Sequence, residues 1–345
     1  MAQDAASTRE EKPLRIGLIY NLKRKAPVTE DDSEAEFDSP TTVDAIARAL
    51  KGLGHEVELL EARNNLPAKL AEGQIDLAFN IAEGSGGRSR EAVVPALLDL
   101  YDIEYTGSDA TTLSLTLDKS LAKRIIAQAG LKTAPFLLMF TGKERLPKDL
   151  TFPVVCKPNA EGSSKGIFAG KSVAKDEKEL RDLVKPLIKR YSGGVLVESF
   201  LSGREFTVGL LGPNKKPRVF PPMEIVFLDK SNPTPIYTFE HKQADNEEVR
   251  YQAPAELDAK LKKKIETLAS KSYQVLGCRD VSRIDVRLDA SGEPCFIECN
   301  PLPGLSPDWS DLCIIARAEK MTYDELISQI VAPAIKRLAA RRQEK

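Results

Sequence analysis

Histidine is nearly absent from this 345-residue chain: only His55 and His241 occur, alongside a single tryptophan. A histidine-rich zinc centre is excluded, and general-base chemistry by imidazole has few candidates. The five cysteines are scattered, with Cys156, Cys295 and Cys299 at strand-like positions. That is no disulfide framework; it reads as core usage in a reducing compartment. No apolar run approaches the roughly 18–20 residues that a membrane-spanning helix needs, and the opening "MAQDAASTREEK" lacks a hydrophobic signal core. An excess of one charge is missing too. Fifty basic residues stand against 51 acidic ones, so no global field favours nucleic acid or an anionic membrane. The basic run "LKKKI" (261–265) and the basic C-terminal tail read as solvated helix surface. These absences predict a cytoplasmic protein of ordinary globular composition, long enough for two or three domains.

What is present begins with strand patterns at "LRIGLIY" (14–20), "HEVELLE" (55–61) and "IDLAFNIAEG" (75–84). Between and after them lie helix patterns, "SPTTVDAIARALKGLG" (39–54) and "REAVVPALLDLYDI" (90–103). Ser39 and Gly54 are the start and stop signals of the first helix. Such alternation predicts a parallel sheet with helices on both faces and ligands beyond the carboxyl ends of its strands. The loops at 20–38 and 80–90 lie at those ends. A helix at "TLDKSLAKRIIAQAG" (116–130) opens a second region of antiparallel strand signals. The fold class is therefore α/β followed by α+β, with units expected at 13–115, 116–212 and 213–340. The polar, proline-bearing stretch 231–257 is too long for a turn and is a lid candidate.

Polar residues inside strand patterns carry the chemistry. In "RIDVRLDASGEPCFIECNPLPG" (283–304), Ile284, Val286 and Leu288 alternate with Arg283, Asp285 and Arg287. Cys295, Ile297 and Cys299 alternate with Phe296, Glu298 and Asn300. Pairing the apolar faces across an even-length loop around Ser291-Gly292 sets Asp285 opposite Glu298 and Arg283 opposite Asn300. Opposed carboxylates, about 5 Å apart at Cβ, repel unless a cation lies between them. The oxygen trio Asp285, Glu298 and Asn300 suits a hard ion such as Mg²⁺; a solvated polar face is the alternative. In "KPNAEGSSKG", Lys157 ends a buried strand and a Gly/Ser loop follows, either an anion nest or a hairpin turn, and not a P-loop because no GK[ST] is present. In "VESFLSGREF", Glu198, Leu201 and Glu205 form either a purine-sized slot or a connector.

Nest, slot and oxygen-ligand hairpin, in that order, suit ATP·Mg²⁺. With "TGSDATTLSLTLDKSLAKR", "KPNAEGSSKG", "ESFLSGREFTV" and "GCRDVSRIDVRLDASGEPCFIECNPLPGLS", the chain resembles the ATP-grasp superfamily and, within it, the D-alanine–D-alanine ligases, over roughly residues 75–330. The resemblance implies an ATP-grasp fold behind a Rossmann-like N-terminal (preATP-grasp) domain, and a ligase of peptidoglycan biosynthesis. It implies that Lys119 and Lys157 neutralise phosphates, with the loop Glu161, Gly162, Ser163, Ser164 to Gly166 closing over them. Glu198 and Leu201 would hold adenine and Glu205 the ribose. Asp285, Glu298 and Asn300 would bind two Mg²⁺, with Mn²⁺ as a substitute. Lys242 would reach the γ-phosphate. Arg283 and the Gly304 N–H would meet a tetrahedral oxyanion, and Ser310 would hold the second substrate's carboxylate if one residue is inserted in "LSPDW". A homodimer through the N-terminal region is also implied.

Departures gather in the N-terminal third. The glutamate for the first amino acid's ammonium is Glu34 or Glu36, with Glu34 preferred. Glu83, Arg88 and Glu91 in "FNIAEGSGGRSRE" either face substrate or form a loop network. The family's lid tyrosine, or its phenylalanine variant, falls on Gln243; where present, that tyrosine bonds the serine matching Ser163. The expected reaction joins two amino acids through an acyl phosphate, D-alanine twice by default. The alternatives are a different dipeptide or amide, or a nucleotide sensor without turnover, for which the metal trio and Arg283 would be superfluous.

Overall fold

The computed structural model describes residues 12–24, 34–167, 172–229, 231–238, 241 and 248–344. Its N-terminal part is built from β1 (Arg15–Tyr20), α1 (Pro40–Gly52), β2 (Glu56–Glu61), α2 (Leu66–Ala71), β3 (Leu77–Asn80), α3 (Val93–Leu100) and β4 (Glu104–Tyr105). The four strands pair in parallel in the order β2-β1-β3-β4. Side-chain alternation along β1 feeds two cores. Ile16 and Leu18 pack with Val43, Ile46 and Leu50 of α1, while Ile19 packs with Leu66, Leu70, Val94 and Leu98 on the opposite face. Ser39 Oγ accepts the Thr42 N–H at 3.2 Å and Pro40 opens α1, as its residue types dictate.

The helix expected over 116–130 is two helices, α4 (Ala110–Leu117) and α5 (Lys119–Gln128). Asp118 between them is extended, and its carboxylate accepts from Leu121 N–H at 3.0 Å and Ser120 Oγ at 2.7 Å. A side chain that satisfies free helix donors starts a new helix where apolar period alone would continue the old one. Lys119 thereby sits in the first turn of α5.

Next come β5 (Phe136–Met139), β6 (Val154–Pro158), β7 (Val173–Ala174), α6 (Glu177–Arg190) and β8 (Val195–Ser199). They form an antiparallel sheet in the order β5-β8-β6-β7. The largest sheet uses β9 (Glu205–Gly212), β10 (Arg218–Val219), β11 (Met223–Phe227) and β12 (Val249–Gln252). After α7 (Ala259–Val275) it adds β13 (Asp280–Leu288) and β14 (Pro294–Asn300), in the order β12-β11-β9-β13-β14 with β10 on β9. β9, on the middle side of a boundary at 212, is thus hydrogen-bonded to β11 and β13. All five cysteines are buried and unbridged, and among the described residues no helix is long and apolar enough to cross a membrane.

The β13–β14 hairpin reaches its expected opposition by an unexpected route. Asp285 faces Glu298 and Arg283 faces Asn300, but Leu288 pairs with Pro294 and Val286 with Phe296. The loop is odd in length, and a bulge at Ile297 restores the register. Its consequence is a correction of the facing: Phe296, not Cys295 or Ile297, joins Ile284, Val286 and Cys299 in the core, while Cys295 and Ile297 turn to Leu201 and Ala134.

α8 (Asp311–Ala318) and α9 (Tyr323–Glu344) close the chain. Arg337 of α9 donates to both oxygens of Asp280 at 2.7 Å, to Glu104 at 2.9 Å and to the Tyr105 carbonyl at 2.9 Å. One guanidinium thus ties β13 to β4. Asp280 is 0% exposed, so Arg337→Met leaves a buried carboxylate without its cation, keeping only the Gly107 N–H at 3.0 Å. The expected cost is about 3–5 kcal/mol, read as a lowered urea midpoint.

Candidate active site

Two cavities meet at the β13–β14 hairpin. The first is lined by Lys157, Ser164, Glu198, Leu201, Glu205 and Arg287, among others. The second runs past Lys119, Glu161, Gly162, Ser163, Arg283 and Asn300 to Gly304 and Ser310. Glu298 and Tyr237 line both.

Strand ends and helix starts place the charges. Lys157 near the end of β6 and Lys123 on α5 converge on Glu198 of β8, at 2.5 and 2.7 Å, all three buried. Burial opposes ionisation of Glu198, yet the two ammonium groups outweigh it and hold the carboxyl at about 2. Lys123 lies one turn beyond Lys119 on the same helix, a spacing that could have flagged it. Glu205 accepts from Arg287 Nη1 at 2.9 Å, a cross-strand pair between β9 and β13. Arg287 also stacks over Phe200, 4.7 Å from its centroid.

The start of the loop after β6 is anchored twice to α5. Asn159 accepts the Ser120 N–H at 2.9 Å, and Lys119 Nζ donates to the Glu161 carbonyl. Ser163 and Ser164 adopt φ of 46° and 55°, a left-handed pair that non-glycine residues rarely hold without functional need. Ser164 Oγ donates to the Tyr237 carbonyl at 3.3 Å.

On the hairpin, Arg283 Nη1 donates to Asp285 at 3.0 Å and Asp311 at 2.7 Å. Burial opposes its charge, and Asp285, Asp311 and Glu298 more than restore it. Asn300 Nδ2 reaches Asp285 at 3.1 Å, and Lys119 lies 3.4 Å from Glu298. The donor set of Asp285, Glu298 and Asn300 is rich in oxygen and free of sulfur and imidazole, which fits Mg²⁺ or Mn²⁺ and not a soft metal. Ser310 Oγ accepts the Ser306 N–H at 2.9 Å. A Cβ on Gly304 would lie 2.9 Å from that Oγ, so glycine there keeps the serine in place.

The sequence marked the far wall only in part, with Glu36 as the alternative to Glu34 and with Glu83, Arg88 and Glu91 left between substrate contact and a loop network. Glu34 accepts the Arg24 N–H at 2.7 Å and is absent from the cleft lining. Glu36 lines the cleft, because the 34–37 turn closes onto the sheet through the Leu22–Asp38 bridge. There it meets Arg90 at 2.7 Å and Lys165 at 2.6 Å. Burial would raise its carboxyl; Arg90 and Lys165 bring it below the ordinary value instead. Glu83 and Glu91 line the same cleft, whereas Arg88 pairs with Asp118 at 2.5 Å. Tyr237, whose hydroxyl meets that of Tyr251 at 2.6 Å, was also unflagged. Lys242 and Gln243 lie outside the described residues.

The three sheets, with a cavity beside Lys157, Glu198 and Leu201 and an oxygen-rich hairpin at its edge, are those of an ATP-grasp enzyme. The profile of the D-ala D-ala ligase C-terminus matches residues 125–332. The D-alanine–D-alanine ligase of Aquifex aeolicus is 34% identical over 301 residues, 87% of this chain and 96% of that protein. The one from Moorella thermoacetica is 32% identical over 300 residues, covering 84% and 92%. The crystal structure of D-alanine–D-alanine ligase from Bacillus anthracis complexed with ATP superposes with a TM-score of 0.73 at 21% identity, covering 95% of this chain and 99% of that one. The chain belongs to the D-alanine–D-alanine ligase family, ATP-dependent ligases that form a peptide bond.

Two substitutions test the far wall. A Cβ on Gly162 would come 2.1 Å from Glu36 Oε1, so Gly162→Ala must displace the buried ion pair; a loss of about 1–3 kcal/mol is expected in urea unfolding. Burial and then Glu36 push the Glu91 carboxyl up to about 8, against about 4.3 in an unfolded chain. The folded protein binds the extra proton between those values, so stability falls as pH rises through that window. Glu91→Gln is expected to exceed the parent in stability, by a margin that widens from about pH 5 to about pH 8.

Proposed function

We propose that the protein joins the carboxylate of one amino acid to the amine of a second, with ATP and Mg²⁺, by way of an acyl phosphate. The observation that carries this reading is that Glu298 lines both the nucleotide-sized slot and the cleft containing Arg283, Gly304 and Ser310. Transfer between the two cavities then passes the metal-ligand hairpin.

Glu198 and Leu201 receive adenine and Glu205 the ribose, while Lys119, Lys157 and the 161–164 loop take the phosphates. Asp285, Glu298 and Asn300 would hold two Mg²⁺, or Mn²⁺ in their place, which would supply positive charge to neutralise what develops on the phosphates. The first amino acid's carboxylate oxygen attacks the γ-phosphorus and the bond to ADP breaks. The second amino acid's neutral amine then attacks the acyl carbon. Arg283 and the Gly304 N–H stabilise the resulting oxyanion, and phosphate leaves as the amine gives up its proton. Ser310 orients the second carboxylate. Glu36, in place of Glu34, faces the first amino acid. By the family resemblance Lys242, which lies outside the described residues, would serve the γ-phosphate, and Tyr237 shares the cleft lining with Ser163. Water must be kept from the acyl phosphate, the work of the 231–257 segment.

D-Alanine in both positions is the default pair, supported by the family. The carboxylates of the far wall favour a different first amino acid as the second reading. A homodimer through the N-terminal unit belongs to the same proposal; exposed Val93 and Leu100, one heptad apart on α3, support it.

Phosphate release with ATP, Mg²⁺ and a panel of D- and L-amino acids tests the reading, with dipeptide identified by mass. Glu298→Gln is expected to abolish turnover while nucleotide affinity changes by less than about tenfold. Turnover in that variant would remove Glu298 from its role, and tight ATP binding without release for any amino acid would point to a sensor.

A further inference from the structure

Glu36 has no charge to spare, since Arg90 holds both its oxygens at 2.7 and 2.9 Å and Lys165 one of them at 2.6 Å. Beside it, Glu83 and Glu91 bring carboxylate oxygens into a group with Glu36 in which all lie within 4.8 Å of one another. Glu91 is only 7% exposed, and its side chain lines the cleft. Among the described residues, neither Glu83 nor Glu91 accepts a hydrogen bond or reaches a cation within ion-pair distance, and the Asp38 carboxyl on the same wall is equally unpaired. Burial, then Glu91, Glu36 and Asp38, raise Glu83 well above the carboxylate range, and burial takes Asp38 to about 7.

Three carboxyls without partners at the wall of a cleft are costly to keep ionised; they hold protons in the empty cleft and ionise against a cation that enters it. A single α-ammonium has three N–H donors but brings only one positive charge to three carboxyls. A divalent metal fits poorly, because two of the cations already present sit on Glu36 itself. A second organic cation adds both positive charge and N–H donors to this group of carboxyls. The same cleft carries Arg283, Glu298 and Asn300, so one molecule can offer a carboxylate to the reaction and a side-chain cation to this wall.

We infer that the first amino acid, whose carboxylate is phosphorylated, bears a second cationic group, a side-chain ammonium or guanidinium received by Glu83 and Glu91. The inference rests on the ligase reading above and names the substrate class of its first subsite. Neutral amino acids leave the carboxyls unpaired and are selected against.

The full-length protein is assayed for phosphate release and product mass with lysine, ornithine, 2,4-diaminobutyrate and arginine, both enantiomers, against alanine and norleucine, the neutral isostere of lysine. A basic substrate is expected to exceed norleucine by at least about tenfold in kcat/KM. Glu83→Gln and Glu91→Gln, checked for folding by urea midpoint, are each expected to erase most of that preference through KM for the amino acid, with KM for ATP unchanged. Equal use of norleucine or alanine, unaffected by the two variants, overturns the inference and leaves the ligase intact. If no amino acid supports release, the ligase reading fails, and calorimetric binding of lysine against norleucine in ADP·Mg²⁺ decides this one: no preference overturns it. Loss of a bound Mn²⁺ in the variants, with lysine affinity unchanged, assigns the wall to a metal and also overturns it.

Discussion

Two carboxylates, Asp285 and Glu298, face each other across adjacent antiparallel strands, and the architecture around them answers that repulsion. Arg283 reaches Asp285 from the same strand, two residues away, and Lys119 approaches Glu298 from the start of α5. Lys119 can do so because Asp118 interrupts the preceding helix. The bulge at Ile297 keeps the two acids opposed while sending Phe296 into the core and Ile297 to the nucleotide-sized slot. A regular hairpin would give up either the packing or the pairing of the acids.

The rest of the cleft divides its buried charges into two kinds. Glu198 between Lys123 and Lys157, and Glu36 between Arg90 and Lys165, are fully compensated. Such groups are held in one geometry before any ligand arrives, which is what electrostatic preorganisation requires. Glu83, Glu91 and Asp38 are not compensated, and burial suppresses their ionisation. Groups of the first kind build a site; those of the second kind wait for something to enter it. A cation bound beside the second kind favours their ionised form and stabilises the folded protein.

The family model matches residues 125–332, from within α5 to past the Gly304–Ser310 turn, and Glu36, Glu83 and Glu91 lie outside that stretch. Residues 20–38 and 80–91 join strands of the parallel sheet to its helices, and loops at such ends are where a shared scaffold varies its ligands. The nucleotide site and the first-substrate wall proposed above thus draw on different parts of the chain.

Local chemistry determined much of this from sequence. Alternation along β1, β13 and β14 told which residues share a face, Ser39 and Gly54 bounded α1, and Asp285, Glu298 and Asn300 were legible as an oxygen set because their spacing follows from a strand's period of two. Only the tertiary structure decided what depends on distant contacts. Glu36 instead of Glu34 enters the cleft because Arg90 and Lys165, 54 and 129 residues away, are there to meet it. Lys123, Arg287 and Tyr237 acquire roles from partners on other elements. The bulge is invisible to periodicity, since it is stabilised by core packing of Phe296 across the sheet. A side chain's face is a local property of the backbone; its electrostatic partner is set by how the whole chain closes.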